Sequence, residues 1–112
     1  MTKDIYRLHA EVCKTLSHAK RLEILNILRH AEMSAGGIVK RMKVSKANAS
    51  QHLAILRNAG ILETRRDGVS IYYRLSSPKV IDACDLMREV LLEKHVQRHA
   101  LLKRFTTQKG VR

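Results

Sequence analysis

At 112 residues the chain has the length of one domain, and 45% apolar with 29% charged residues, one proline and five glycines is a folded-protein profile rather than a disordered or fibrous one. Lysine plus arginine total 22 against 10 acids, a net charge of +12, which points to a polyanionic partner. No stretch has the apolar length of a membrane span and no signal-peptide core is present, so the expected location is the cytoplasm, where the two cysteines stay reduced.

Asp4 to about Leu16 reads as a helix, with Ile5, Leu8, Val12 and Leu16 on one side and Asp4 as its cap. Ser17 is placed to cap a second helix, roughly Ala19 to His30, whose Leu22, Ile24, Leu25, Ile27 and Leu28 make a broad apolar face. A loop, Ser34-Ala35-Gly36-Gly37, leads into a short helix ending at Met42. Met42 to Ser45 is then a tight turn, with Ile38, Val44 and Leu53 expected to meet across it.

Val44 to Gly60 is the stretch with the most complete signals. Ser45 is a natural N-cap, Ala49, Leu53 and Leu56 form a narrow apolar seam, and Gly60 stands where a helix stops in a left-handed residue. The outward positions Lys46, Asn48, Ser50, Gln51 and Arg57 are polar or cationic. Between Lys40 and Arg66 seven basic residues face one acid, Glu63, so the charge excess surrounds this helix as nucleic-acid binding requires. A second excess covers the C-terminus, where no acid follows Glu93.

After Gly60 the period changes from helical to alternating. Ile61–Arg66 and Val69–Leu75 read as strands joined by Asp67-Gly68, a basic hairpin carrying Arg65, Arg66 and Arg74. Ser77-Pro78 opens a last helix to about Arg104, with Val80, Cys84, Met87 and Leu91 in one stripe. So long and apolar a helix exceeds what a small monomer covers, and with the first helix it is expected to form a dimer interface. The predicted fold is mainly α with a small β-hairpin, a winged helix-turn-helix of order α-α-α-α-β-β-α. Residues 1–112 make a single domain with N- and C-terminal dimerisation helices.

Four blocks carry a family resemblance: L-S-H-A-K-R-L-E-I-L from Leu16, S-Q-H-L-A-I-L-R-N-A-G-I-L from Ser50, R-R-D-G-V-S-I-Y-Y-R-L from Arg65, and the helix after Pro78. Over about Tyr6 to Leu92 the chain resembles the ArsR/SmtB family of bacterial and archaeal repressors, departing from it at Ala19, where the family usually has proline. The resemblance implies a homodimer on an inverted-repeat promoter operator, released by a metal ion, metalloid or oxidant. It places Lys46, Asn48, Ser50 and Gln51 in the major groove and His52 close to a phosphate, with Arg65, Arg66 and Ser70 as wing contacts and Arg57 on the same cationic face. The residue types suit the task, since Gln and Asn can pair with an adenine edge and Lys can donate to guanine. A half-buried structural role for His52 fits the sequence equally well.

The family's known metal sites are not reproduced: Gly36 to Met42 holds no Cys, His or acid, and Ser77-Pro78-Lys79 offers no cation ligand. The chain also resembles family members that sense persulfide or oxidant with one N-terminal and one last-helix cysteine, which makes Cys13 and Cys84 the candidate inducer-sensing thiols. Lys14 and His9 near Cys13 favour it as the attacking thiolate, and Asp82 and Asp85 around Cys84 favour it as the resolving partner. Three alternatives stay open: structural cysteines in a constitutive DNA-binding regulator, metal or metalloid binding through His9 with Cys13, and metal binding through His95 with His99. No cofactor is implied. With no phosphate loop, nucleophile motif or cleft-forming His/Asp/Cys cluster, enzymatic activity is not expected.

Overall fold

The computed structural model describes residues 3–108 and follows the predicted architecture. The chain opens with α1 (Lys3–Leu16), where Asp4 lies in the first turn and pairs with Arg7 at 2.9 Å. None of its residues is buried: Ile5, Leu8 and Val12 all stay exposed. Ser17 does not cap the second helix. Its hydroxyl donates to the Lys14 carbonyl at 2.6 Å and so closes α1. The cap of α2 (Ala19–Ile27) is instead His18, whose extended backbone lets Nδ1 accept from the Lys20 amide at 3.2 Å. This helix ends before the expected His30, because Leu28 leaves helical geometry and the Arg29 amide turns back to the Asn26 carbonyl.

A short strand, β1 (Met33–Ser34), went unforeseen because two residues carry no periodicity. Ser34 also caps α3 (Ala35–Met42), accepting from the Gly37 amide at 3.1 Å. Of the two glycines here only Gly37 is sterically required, since a Cβ on it would meet Met33 Cγ at 2.8 Å. The turn out of α3 uses Lys43 in the left-handed region, at φ 57° and ψ 41°.

Helix α4 (Lys46–Asn58) starts as expected, with Ser45 Oγ accepting from the Asn48 amide at 3.1 Å. It stops in a Schellman motif. Gly60 at φ 78° sends its amide to the Arg57 carbonyl, and the Ile61 amide reaches Leu56 at 3.0 Å; both Ile61 and Leu56 are buried, supplying the motif's apolar contact. Strands β2 (Leu62–Asp67) and β3 (Ser70–Leu75) form the hairpin, and β1 adds to β3 to give the order β1-β3-β2. Asp67 pairs with Ser70, so the loop is Gly68-Val69 rather than Asp67-Gly68. Only Gly68 needs positive φ, the pattern of a II′ turn.

The last helix, α5 (Pro78–Gln108), is capped by Ser77 Oγ on the Lys79 amide at 3.2 Å. The chain divides into two compact units, the first ending at Ile81 and the second beginning at Asp82. The first holds the core, where Ile24, Leu25, Ile38, Leu53 and Leu56 are fully buried; each such side chain stabilises the fold by about 1.5–3 kcal/mol relative to exposure. The second is the continuation of α5, on which Leu86, Met87, Val90, Leu91, Leu92 and Val96 are exposed.

Lys43 carries a testable strain. A non-glycine residue in the left-handed region costs about 1–2 kcal/mol, so Lys43→Gly is expected to raise unfolding stability by about 1 kcal/mol in urea titrations while removing one cation beside α4. An unchanged or lower midpoint would contradict the strain.

Candidate nucleic-acid interface

Helix α4 is held along one arc of its circumference. Ala49, Leu53 and Leu56 are buried there, each at most 1% exposed, and His52 joins them at 7%. At about 100° per residue the opposite arc carries Ala47, Ser50, Gln51 and Ala54, all exposed. Lys46 and Arg57 flank this arc on one side, exposed, and Asn48 lies on the other, half-buried. The two alanines were not singled out from sequence, yet small residues on a recognition surface let the backbone approach a groove and can meet a thymine methyl. Lys40, Arg41 and Lys43 are exposed on the preceding helix and turn, so the surface around α4 is cationic.

His52 does not belong to that surface. Its Nδ1 accepts from Arg21 Nε at 3.2 Å, and its ring lies 4.4 Å from that of His18. Burial pushes its pKa below the ordinary 6.5, and the charges of His18, Arg21 and Lys20 push it the same way. Its burial fits the structural alternative for this residue, because spacings of three from Ala49 and four from Leu56 turn it into the packed arc.

The wing separates two arginines that look equivalent in sequence. Adjacent strand residues point to opposite faces, so Arg65 shares a face with Tyr72, Ser70 and Arg74, and Arg66 shares the other with Ile71. Arg65 is already engaged: Nε donates to Glu32 at 3.0 Å, the guanidinium stacks 4.5 Å above the Tyr72 ring, and Asp67 lies 3.8 Å away. The Arg65 hydrogen bonds hold the Glu32 carboxyl below its usual value of 4.5. Arg74 pairs with Glu63 at 2.7 Å. Arg66 is exposed and has no ion-pair partner among the described residues. Ser70 is half-buried beside the loop.

A cationic helix presented by a helix-turn-helix beside a three-stranded wing matches known proteins. The sequence fits the description "Bacterial regulatory protein, arsR family" over residues 18–64. An HTH-type transcriptional regulator of Mycobacterium tuberculosis, Rv0081, is 33% identical over 91% of this chain and 90% of its own. The chain belongs to the ArsR family. It is a DNA-binding transcriptional regulator of the winged-helix type.

The Rv0081 crystal structure superposes with a TM-score of 0.76, covering 87% of this chain and 98% of that one. Two other relatives bear opposite signs in their names. HlyU of Vibrio cholerae, a transcriptional activator, is 35% identical over 69% of this chain and 71% of its own. The biofilm growth-associated repressor of Xylella fastidiosa is 33% identical over 79% and 77%. A homodimeric winged helix-turn-helix domain from Mycobacterium bovis is 28% identical, with a TM-score of 0.73 over 83% of this chain and 89% of that one.

The residues read as sensors fall in both units. Cys13 and His9 are exposed on α1, and Cys84 is half-buried in the second unit. His95 and His99 stack ring on ring with centroids 6.4 Å apart. Among the described residues no three His, Cys, Asp or Glu side chains cluster as a metal site, and no helix is long and apolar enough to cross a membrane.

The two wing arginines are expected to behave differently. Arg66→Ala should lower the slope of log affinity against log salt by about 0.9, the value of one lost phosphate contact. Arg65→Ala should change the slope less, because the loss of the cation also uncovers Glu32. Anisotropy titrations on a duplex across salt concentrations compare them directly, and equal slope changes would contradict the assignment.

Proposed function

We propose that the protein is a homodimeric repressor that binds an inverted-repeat operator overlapping a promoter, and that oxidation or persulfidation of Cys13 and Cys84 releases it. The observation that carries the DNA step is α4 itself: buried along one arc, capped at both ends, and exposing Ser50 and Gln51 between small residues and cations. In this reading Gln51 and Asn48 pair with adenine edges, Lys46 and Ser50 reach neighbouring base edges, and Ala47 and Ala54 pack on thymine methyls. Arg57, Arg66 and Ser70 take phosphates, whereas Arg65 braces the wing and His52 the helix.

Dimerisation is supported by the exposed apolar side chains of α1 and of residues 86–96, and by the homodimeric state of the Mycobacterium bovis domain. Two copies of α4 would then read half-sites about one helical turn apart, roughly 34–36 Å. A dimer seated on a promoter excludes polymerase, and the repressor name of the Xylella relative agrees with that sign.

The release step rests on two thiols in a chain of this family, one of them exposed on a helix with an uncovered apolar face. With a peroxide, two thiols give one disulfide and two waters; with two equivalents of a persulfide donor they give a trisulfide bridge, two donor thiols and one hydrogen sulfide. A covalent bridge would alter the spacing or freedom of the two recognition helices, and affinity depends on that spacing. The cytoplasm is the setting in which DNA and reduced thiols coexist.

Two measurements test the proposal. Gln51→Ala should narrow the gap between a duplex selected by this protein from a random pool and a mixed-sequence duplex by about 1–3 kcal/mol; an equal loss on both would remove Gln51 from base readout. A persulfide donor or peroxide should weaken binding by wild type and leave Cys84→Ser bound, with mass spectrometry showing the bridge only in wild type. If the variant loses affinity to the same extent, the dithiol step is wrong. Release by a metal ion with both thiols unmodified would replace it with metal sensing.

A further inference from the structure

The recognition helix contains one buried ionisable side chain that reads no DNA. His52 is 7% exposed and accepts at Nδ1 from Arg21 Nε at 3.2 Å. The same guanidinium donates from Nη1 to the Thr15 carbonyl at 3.0 Å. Arg21 thus ties three elements together: the last turn of α1, its own helix α2, and α4. Beside it, His18 packs its ring 4.4 Å from that of His52 and uses its own Nδ1 to accept from the first turn of α2.

We propose that Arg21 and His52 are positioning residues of the recognition helix, and that the hydrogen bond between them makes operator binding weaken in acid. The bond exists only while Nδ1 of His52 is unprotonated. A proton there turns the acceptor into a donor facing another donor, and sets an imidazolium against a guanidinium. Among the described residues no opposite charge acts on His52. The groups that act on His52 are His18, Lys20 and Arg21, all cationic when charged, and the nearby acid of α2, Glu23, is taken by Lys20 at 3.6 Å. From the other elements packed on α4, the charged side chains Lys40 and Arg41 of α3 and Glu63, Arg65, Arg66 and Asp67 of β2 are exposed.

Geometry and linkage give the same direction. Burial holds His52 below the ordinary 6.5, so the packed state is fully favoured above 6.5 and loses ground as pH falls through 6.5 towards the lowered value. Release of Arg21 frees the α1 end and the α4 flank together, and a recognition helix that no longer sits at one angle loses base contacts. The sign is diagnostic. Acid adds positive charge to the chain, which by itself would strengthen attraction to phosphates.

The experiment measures affinity for the duplex selected from a random pool, from about pH 7.5 to about pH 5.5, a range that spans an ordinary histidine titration. Wild type should lose about tenfold in affinity. His52→Asn, which keeps an acceptor near the Nδ1 position without titrating, should show no loss, and His18→Ser, which keeps a helix cap, should retain most of it. A flat or rising wild-type profile overturns the proposal, as does an undiminished loss in His52→Asn. Should that variant fail to fold, the wild-type His52 ring resonances decide. A titration midpoint shared with the affinity loss supports the proposal, and clearly separate midpoints reject it. A wild type that binds no duplex at any pH would instead count against the DNA reading on which this inference rests.

Discussion

A helix that reads DNA can be packed against its own protein along only part of its circumference, and that restriction shapes this molecule. Ala49, Leu53 and Leu56 form the one buried arc of α4, and nothing bulky can occupy the opposite arc if a groove is to receive it. So narrow a contact fixes the helix weakly by itself. The remaining constraint comes from its ends and from one flank: Ser45 at the start, the Gly60–Ile61 stop, and the Arg21–His52 hydrogen bond. The β1 strand and the Ser34 cap in turn hold α3 at the required crossing.

The charge of the chain is similarly divided. A net +12 suggests many phosphate contacts, yet several cations are engaged within the protein. Arg65 braces Glu32 and Tyr72, Arg74 pairs with Glu63, and Arg21 serves two acceptors. Exposed ion pairs such as these contribute little stability each, but they remove cations from the set that can face DNA. Lys40, Arg41, Lys43, Lys46, Arg57 and Arg66 remain exposed around α4 and on one face of the wing. Affinity therefore depends on fewer residues than composition implies.

Stability and assembly meet in the apolar side chains that the core does not use. Ile5, Leu8 and Val12 on α1, and the apolar residues from Leu86 to Val96 on the second unit, are exposed at helical spacing. A lone helix cannot bury its own stripe, and it is on these exposed faces that the proposed homodimer rests.

Sequence alone determined the helices, the helix-turn-helix, the two wing strands and the family, because each rests on local signals: apolar period, cap residues, a glycine turn between alternating runs and dense family motifs. The buried seam of α4 and both of its ends were legible for the same reason. Tertiary structure decided what locality cannot express. Whether Ser17 or His18 caps α2 depends on a competition for nearby backbone groups, and β1 exists only because β3 is there to pair with it. The roles of Arg65 and Arg66 diverge because alternation puts them on opposite faces, where one meets Glu32 from a distant loop and the other meets solvent. For His52 the sequence left a phosphate contact and an internal role equally open, since a histidine's role is set by whichever partner the fold brings to its nitrogen, here Arg21 from thirty-one residues away.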